Sequence, residues 1–151
     1  MLFGACVVGA VALIVALAVP LVLSCGLIFR FQNYKQDLAT SFSYGEEHDS
    51  MFVTLGDERT LVSDDRAKRL FSVIVDTGMG KPADVLPDEG GLLIEFGDGS
   101  TLEIWSVEIT EGGRVSDTGV LISYRRSDGQ TFSYDTDYLQ YEDVLRILGL
   151  A

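Results

Sequence analysis

The sequence is short of the side chains on which most catalytic sites depend. Its 151 residues include one histidine, His48, and two cysteines, Cys6 and Cys25. Residues 26–151 therefore have no thiol to act as a nucleophile or to form a disulfide, and a serine nucleophile would lack the usual histidine base unless His48 supplied it. The composition predicts a protein that is not an enzyme and that needs no cofactor.

A second absence is charge at the N-terminus. Residues 1–29 contain no Asp, Glu, Lys, Arg, His, Asn or Gln, so the net charge of −12 lies wholly in residues 30–151. The run exceeds the roughly 7–15 apolar residues of a signal-peptide core and the roughly 20 that cross a bilayer as a helix. We predict that residues 1–29 are an uncleaved transmembrane signal anchor, with the lipid bilayer as partner.

Cys25 lies within this run. The stretch VLSC at residues 22–25 resembles the lipidation box of bacterial lipoproteins, although Leu23 is bulky and four apolar residues follow the cysteine. We favour an unmodified thiol that acts as a small apolar side chain. The alternative is an acylated Cys25 on a lipoprotein-like domain that binds a small ligand or Ca²⁺.

Two features of the sequence favour opposite orientations of the anchor. Arg30 and Lys35 come after the run and no cation precedes it, a distribution that by itself favours a cytoplasmic C-terminal part. The layout of one apolar segment, a linker and an acidic domain resembles that of many small bacterial cell-envelope proteins. On this resemblance we predict that residues 30–151 face outward.

The remaining sequence divides into a linker and a domain. Residues 30–50 show no sustained period and are predicted to be a juxtamembrane linker, with Arg30, Phe31 and Tyr34 at the headgroup level. Residues 51–151 are predicted to form an acidic α+β domain. We expect about five strands in a mainly antiparallel sheet, together with two helices.

The first elements of that domain are a strand and a helix. Residues 51–55 predict a short strand, and a helix is expected to begin after Ser63 and to end at Gly78. A helical face is formed by four apolar residues of this segment: Ala67, Leu70, Phe71 and Ile74. A loop with Pro and Gly then runs from residue 79 to residue 91.

Two hairpins with Asp-Gly turns follow the loop. A three-residue turn with Gly99 in the left-handed conformation brings apolar residues together on one face, whereas a two-residue turn mixes apolar with charged residues. The resulting pairs are Ile94 with Leu102, Leu92 with Ile104, Tyr124 with Phe132, and Ile122 with Tyr134.

The chain ends with a predicted helix on the apolar face of the sheet. Asp137 is expected to cap it and Gly149 to end it. Its apolar face is predicted to consist of Tyr138, Tyr141, Leu145 and Leu148.

The candidate interaction residues are aromatic. Trp105 points to the other face of the sheet and anchors a partner if exposed, although a covering segment is the more common arrangement for a lone Trp. Tyr138 and Tyr141 are the other candidates, on the C-terminal helix.

Three other groups of polar residues are more simply interpreted as structural or solvated. His48 with its acidic neighbours, the carboxylate pair Glu95 and Glu103, and a Ca²⁺ site around Asp135 and Asp137 are all interpreted as solvated charges or caps. Nucleic acid is not expected as a partner because the domain is acidic. The sequence thus predicts a membrane-tethered, non-catalytic interaction module of the bacterial cell envelope, with a protein partner in the membrane or envelope.

Overall fold

The structure is a computed structural model that describes the backbone of residues 2–76, 80–88, 90–111 and 114–151. Side chains are described for residues 23–76, 80–88, 90–108 and 118–151. The chain divides into two compact units, Met1–Asn33 and Tyr34–Ala151.

The first helix, α1, comprises Leu2–Glu47 and contributes to both units. Among the residues whose side chains are described, no helix is both long enough and apolar enough to cross a membrane. The transmembrane helix predicted for residues 1–29 falls mostly outside those described side chains, and it stays a prediction.

The prediction of a linker over residues 30–50 is wrong for most of that range, because α1 continues to Glu47. Tyr34, Leu38, Ser41 and Phe42 recur at helical spacing and are buried. Because the Ser41 hydroxyl interrupts the apolar stripe, the helical period of the stripe is not evident from the sequence. Phe31 and Tyr34, which were predicted for the headgroup level, are both buried, and the Tyr34 ring lies 5.2 Å from that of Tyr134.

The second unit is built on a seven-stranded antiparallel sheet, which confirms the α+β class. The strand order is β2-β1-β4-β5-β6-β7-β3. The strands are β1 (Met51–Leu55), β2 (Glu58–Leu61), β3 (Lys81–Pro82), β4 (Leu92–Phe96), β5 (Thr101–Glu111), β6 (Arg114–Arg125) and β7 (Thr131–Thr136). The two strands that were not predicted are β2, which is short and charged, and β3, which has only two residues and contains a proline. Both lie at sheet edges, where such sequences are typical.

The predicted hairpin registers are confirmed. Ile94 pairs with Leu102 and Leu92 with Ile104, and the second hairpin pairs Tyr124 with Phe132 and Ile122 with Tyr134. Gly99 and Gly129 have φ angles of 85° and 90°, so each turn contains the left-handed glycine that a three-residue loop requires.

Two further helices pack within the second unit. In α2 (Asp64–Asp76) the buried residues are Ala67, Leu70 and Ile74; Phe71 is half-buried and its ring lies 5.2 Å from that of Phe42. Gly78, the predicted end of this helix, lies outside the described residues.

Helix α3 (Tyr141–Leu148) contacts α2 and β5. Gly149 ends it in the left-handed conformation, as predicted. The prediction that Asp137 caps it is wrong: Gln140 occupies the N-cap position, and the Thr136 hydroxyl instead accepts a hydrogen bond from the Tyr138 N–H.

The predicted apolar face of the C-terminal helix is only partly correct. Leu148 is buried, as predicted, but Val144 and Leu139 fill the core in place of Tyr138. Because the helix begins three residues later than expected, Tyr138 precedes it and its side chain is exposed.

Candidate functional site

The C-terminal part of α1 is joined to the sheet by a buried polar cluster centred on Ser41. The Ser41 hydroxyl donates to Asp98 Oδ2 at 2.6 Å, and its oxygen lies 2.8 Å from both the Tyr124 hydroxyl and Ser100 Oγ. Asp98 and Ser100 belong to the β4–β5 turn, and Tyr124 lies on β6. The cluster therefore joins one helix to two different hairpins.

Asp98 is the acceptor at the centre of the turn. Its Oδ1 accepts hydrogen bonds from the Ser100 N–H at 2.8 Å and from the Ser100 hydroxyl at 2.6 Å. Burial acts to raise the pKa of the Asp98 carboxyl, but the hydrogen bonds from Ser100 and Ser41 outweigh burial and hold that pKa below its ordinary value. Asp98 is therefore ionised at neutral pH and acts only as an acceptor.

The hydroxyl protons of the cluster are all engaged. Ser41, Ser100 and Tyr124 supply three protons for five contacts, of which the fifth joins the Tyr124 hydroxyl to the Asp37 carbonyl oxygen at 3.3 Å. Ser41 and Ser100 donate their protons to ionised Asp98. The Tyr124 proton is therefore best placed toward Ser41 Oγ, which is nearer to the Tyr124 hydroxyl than the Asp37 carbonyl oxygen is. Burial raises the pKa of Tyr124, which keeps that proton in place.

Ion pairs continue the cluster toward the surface. One guanidinium nitrogen of Arg126 lies 3.4 Å from Asp37 Oδ2 on α1, and another lies 3.2 Å from Asp128 Oδ2 in the β6–β7 turn. Partly exposed pairs of this kind contribute about 0–1 kcal/mol each. They add a polar contact between α1 and the second hairpin turn.

This cluster has the chemistry of a structural contact. Its carboxylate has a lowered pKa and is a poor base, and Ser41 and Ser100 are buried away from any substrate. No histidine or cysteine lies among its members. The arrangement fixes α1 against the sheet and leaves no activated nucleophile.

Glu95 and Glu103 are diagonal neighbours on one face of the first hairpin, since Glu95 lies opposite Thr101 and Glu103 opposite Leu93. Glu95 forms an ion pair with Arg59 at 2.9 Å, whereas Glu103 lies opposite Leu93 and Ser123 on its neighbouring strands.

The metal candidates are not grouped as ligands. Among the residues that the structure describes, no three His, Cys, Asp or Glu side chains are grouped so as to hold a metal ion. The ring of His48 stacks on Tyr44, with centroids 4.1 Å apart. Asp137 is exposed, and Asp128 faces Arg126.

Trp105 is not an exposed anchor. Its side chain is only 4% exposed, although it lies on the face opposite Leu102 and Ile104, as predicted from the register. A methyl group added at Gly91 would lie 2.5 Å from the indole nitrogen, so the backbone at the start of β4 lies directly against the ring. The arrangement in which another segment covers the Trp is the one that the structure shows.

Tyr138 and Tyr141 differ in their access to a partner. Tyr138 is 75% exposed, whereas Tyr141 is half-buried in the first turn of α3. Burial raises the pKa of the Tyr141 hydroxyl, with a smaller contribution from Glu142. Tyr138 is thus the most accessible of the three predicted interaction residues.

A shallow groove of about 430 Å³ follows the solvent face of α1. The residues that line it are Gln36, Ala39, Thr40, Ser43, Tyr44 and Glu47. They are mostly small or polar, and nothing in the groove marks it for a particular ligand.

No protein-family model, curated protein or solved structure matches this chain. Sequence reasoning did not identify Ser41, Asp98, Ser100 and Tyr124 as a cluster, since they come together only when α1 packs on the sheet. The available signal was the helical spacing of Ser41 from Tyr34 and Leu38.

Proposed function

We propose that residues 1–29 anchor this chain in a lipid bilayer and that the Tyr34–Ala151 unit is a non-catalytic interaction module facing outward in the bacterial cell envelope. The observation that carries the proposal is the apolar surface at the end of the uncharged run. Leu23, Leu27, Ile28 and Phe29 are all exposed on α1.

These side chains do not form a single stripe. Successive helical residues are separated by about 100°, so Leu27, Ile28 and Phe29 alone point in three directions. A helix that is apolar on several sides requires an apolar environment, since burying each such side chain is worth about 1.5–3 kcal/mol. A bilayer provides that environment on every side at once.

Membrane extraction tests the anchor. We expect the full chain to remain in the membrane pellet after alkaline carbonate washing. The double variant Ile14→Arg, Leu17→Arg places two cations near the centre of the run, at a cost of about 5–7 kcal/mol for insertion, and should leave the membrane fraction. The matched control Ile14→Leu, Leu17→Ile should stay in the pellet. Release of the unmodified chain by carbonate would refute the anchor.

The interaction function is supported by the chemistry of the second unit. Its best-formed polar cluster is a packing contact, and its aromatic Tyr138 is exposed. Purification of the detergent-solubilised full chain from its native membranes should recover a stoichiometric protein partner. Recovery of nothing above the level of an untagged control would contradict this part of the proposal.

A further inference from the structure

The connection between β3 and β4 presents two apolar side chains to solvent. Residues 83–87 form no regular secondary structure, and Val85 is 82% exposed and Leu86 39% exposed. We propose that this segment, which we call the Val85 loop (residues 83–88), is the site at which the module binds its protein partner. The partner receives the loop in an apolar cleft that has a cationic rim. The inference rests on the interaction function proposed above.

Isolated exposed apolar side chains are common on protein surfaces, so adjacency matters here. In the described part of Tyr34–Ala151, the exposed large apolar residues are Tyr44, Leu61, Val85, Leu86 and Tyr138. Val85 and Leu86 are the only two of these that are consecutive. They place two apolar side chains within one short exposed segment, which the others do not.

The Val85 loop is held at both ends. Before it, Lys81 pairs with Asp135 and Pro82 with Tyr134, and the Ala83 N–H donates to the Ser133 carbonyl oxygen at 3.0 Å. After it, the chain at Gly91 lies against Trp105 and enters β4. The apolar pair therefore lies between two points that are fixed to the sheet.

Two of the three prolines in the chain bound the pair. Pro82 and Pro87 each fix their own φ near −65°, and Pro87 also disfavours a helical conformation at Leu86. A segment with few accessible conformations loses less entropy when it binds. The sequence PADVLP thus favours presentation of Val85 and Leu86 in a restricted, non-helical form.

The charges beside the pair define the partner. Asp84 and Asp88 flank it, both are exposed, and residues 83–88 contain no Lys or Arg. Acidic side chains attract a cationic rim and are repelled by an anionic lipid surface. A protein cleft with Lys or Arg around an apolar floor therefore fits this surface better than a membrane does.

Site-specific photo-crosslinking in native membranes tests the site. With Val85 replaced by p-benzoylphenylalanine in the full chain, illumination should give one discrete protein adduct. Adding Leu86→Asp should reduce its yield about tenfold, as expected when a buried anchor is lost. Leu61→Asp is the matched control, because Leu61 is also exposed, at 48%, and should leave the yield unchanged.

A second variant separates the charge contribution from the apolar one. Asp84→Asn with Asp88→Asn should lower the adduct yield and remove its dependence on salt concentration. If purification recovers a partner but position 85 gives no protein adduct, gives only lipid adducts, or gives an adduct that survives Leu86→Asp, the Val85 loop is not the site, although the interaction function stands. If purification also recovers no partner, both proposals fail.

Discussion

Removal of the Ser41 hydroxyl is the sharpest test of how α1 is held. The substitution Ser41→Ala deletes a donor to the ionised Asp98 at 2.6 Å and the acceptor nearest to the Tyr124 hydroxyl. A hydrogen bond to a charged group contributes about 1.5–3 kcal/mol and a neutral one about 1 kcal/mol. Asp98 keeps its two bonds from Ser100, so we expect the free energy of unfolding to fall by about 2–3 kcal/mol.

The measurement uses the tryptophan that the fold provides. Trp105 is the only tryptophan in the chain and is buried, so its emission in a urea titration of the detergent-solubilised full chain reports unfolding of the second unit. The matched control is Thr40→Ala, because the Thr40 hydroxyl donates to the Gln36 carbonyl oxygen at an exposed position of the same helix. That control should change stability by no more than about 0.5 kcal/mol.

The effect should depend on pH with a defined sign. Because the pKa of folded Asp98 is lowered from 3.8, its ionised form contributes stability that is fully present above that value. The contribution is lost as the pH falls below 3.8 toward the folded pKa. The difference between the wild-type chain and Ser41→Ala should therefore shrink in acid. Equal urea midpoints for Ser41→Ala and Thr40→Ala at pH 7 would refute the reasoning.

Four other predictions follow from the same structure. A fragment of residues 51–151 should be unfolded by circular dichroism, whereas one of residues 34–151 should be folded, since only the latter keeps the buried stripe of α1. Gly99→Ala should lower the free energy of urea unfolding by about 1–2 kcal/mol because of its positive φ, and Gly99→Asn should restore much of the loss; equal stability of the two would contradict this. Palmitate labelling that disappears in Cys25→Ser would establish the lipoprotein alternative, and we expect no labelling. Alkaline phosphatase fused after Ala151 should be active if the module faces outward, and fluorescence alone from a cytoplasm-only fluorescent fusion would reverse that orientation.

The hairpins were predictable because their information is local. Asp-Gly turns and the alternation of Leu92, Ile94, Leu102 and Ile104 determine a register without knowledge of any distant residue. The N-cap of α3 was not predictable in this way. Asp137 has the better capping side chain, but Gln140 takes the position and bonds Thr118 on β6 instead.

The polar cluster centred on Ser41 could not be predicted from the sequence for a related reason. Ser41 looks like a linker residue until α1 is known to be helical there, and Asp98 looks like an ordinary turn residue until Ser41 reaches it. The contacts of Ser41 with Asp98 and Tyr124 are created by packing between elements far apart in sequence.

The position of the polar cluster also explains why hydroxyls lie in an otherwise apolar contact. Tyr34, Leu38 and Phe42 are spaced four residues apart, so a shift of α1 by about one turn would still put two of them on apolar sites, with Arg30 or Glu46 at the third. The same shift brings Asp37 or Gly45 to the position of Ser41. Asp37 would oppose ionised Asp98, and Gly45 would offer it no donor, which leaves a partly buried charge without one of its partners. The bonds to Asp98 therefore act together with the apolar stripe to select one register of α1, because a shift by about one turn loses a donor to Asp98 as well as an apolar contact.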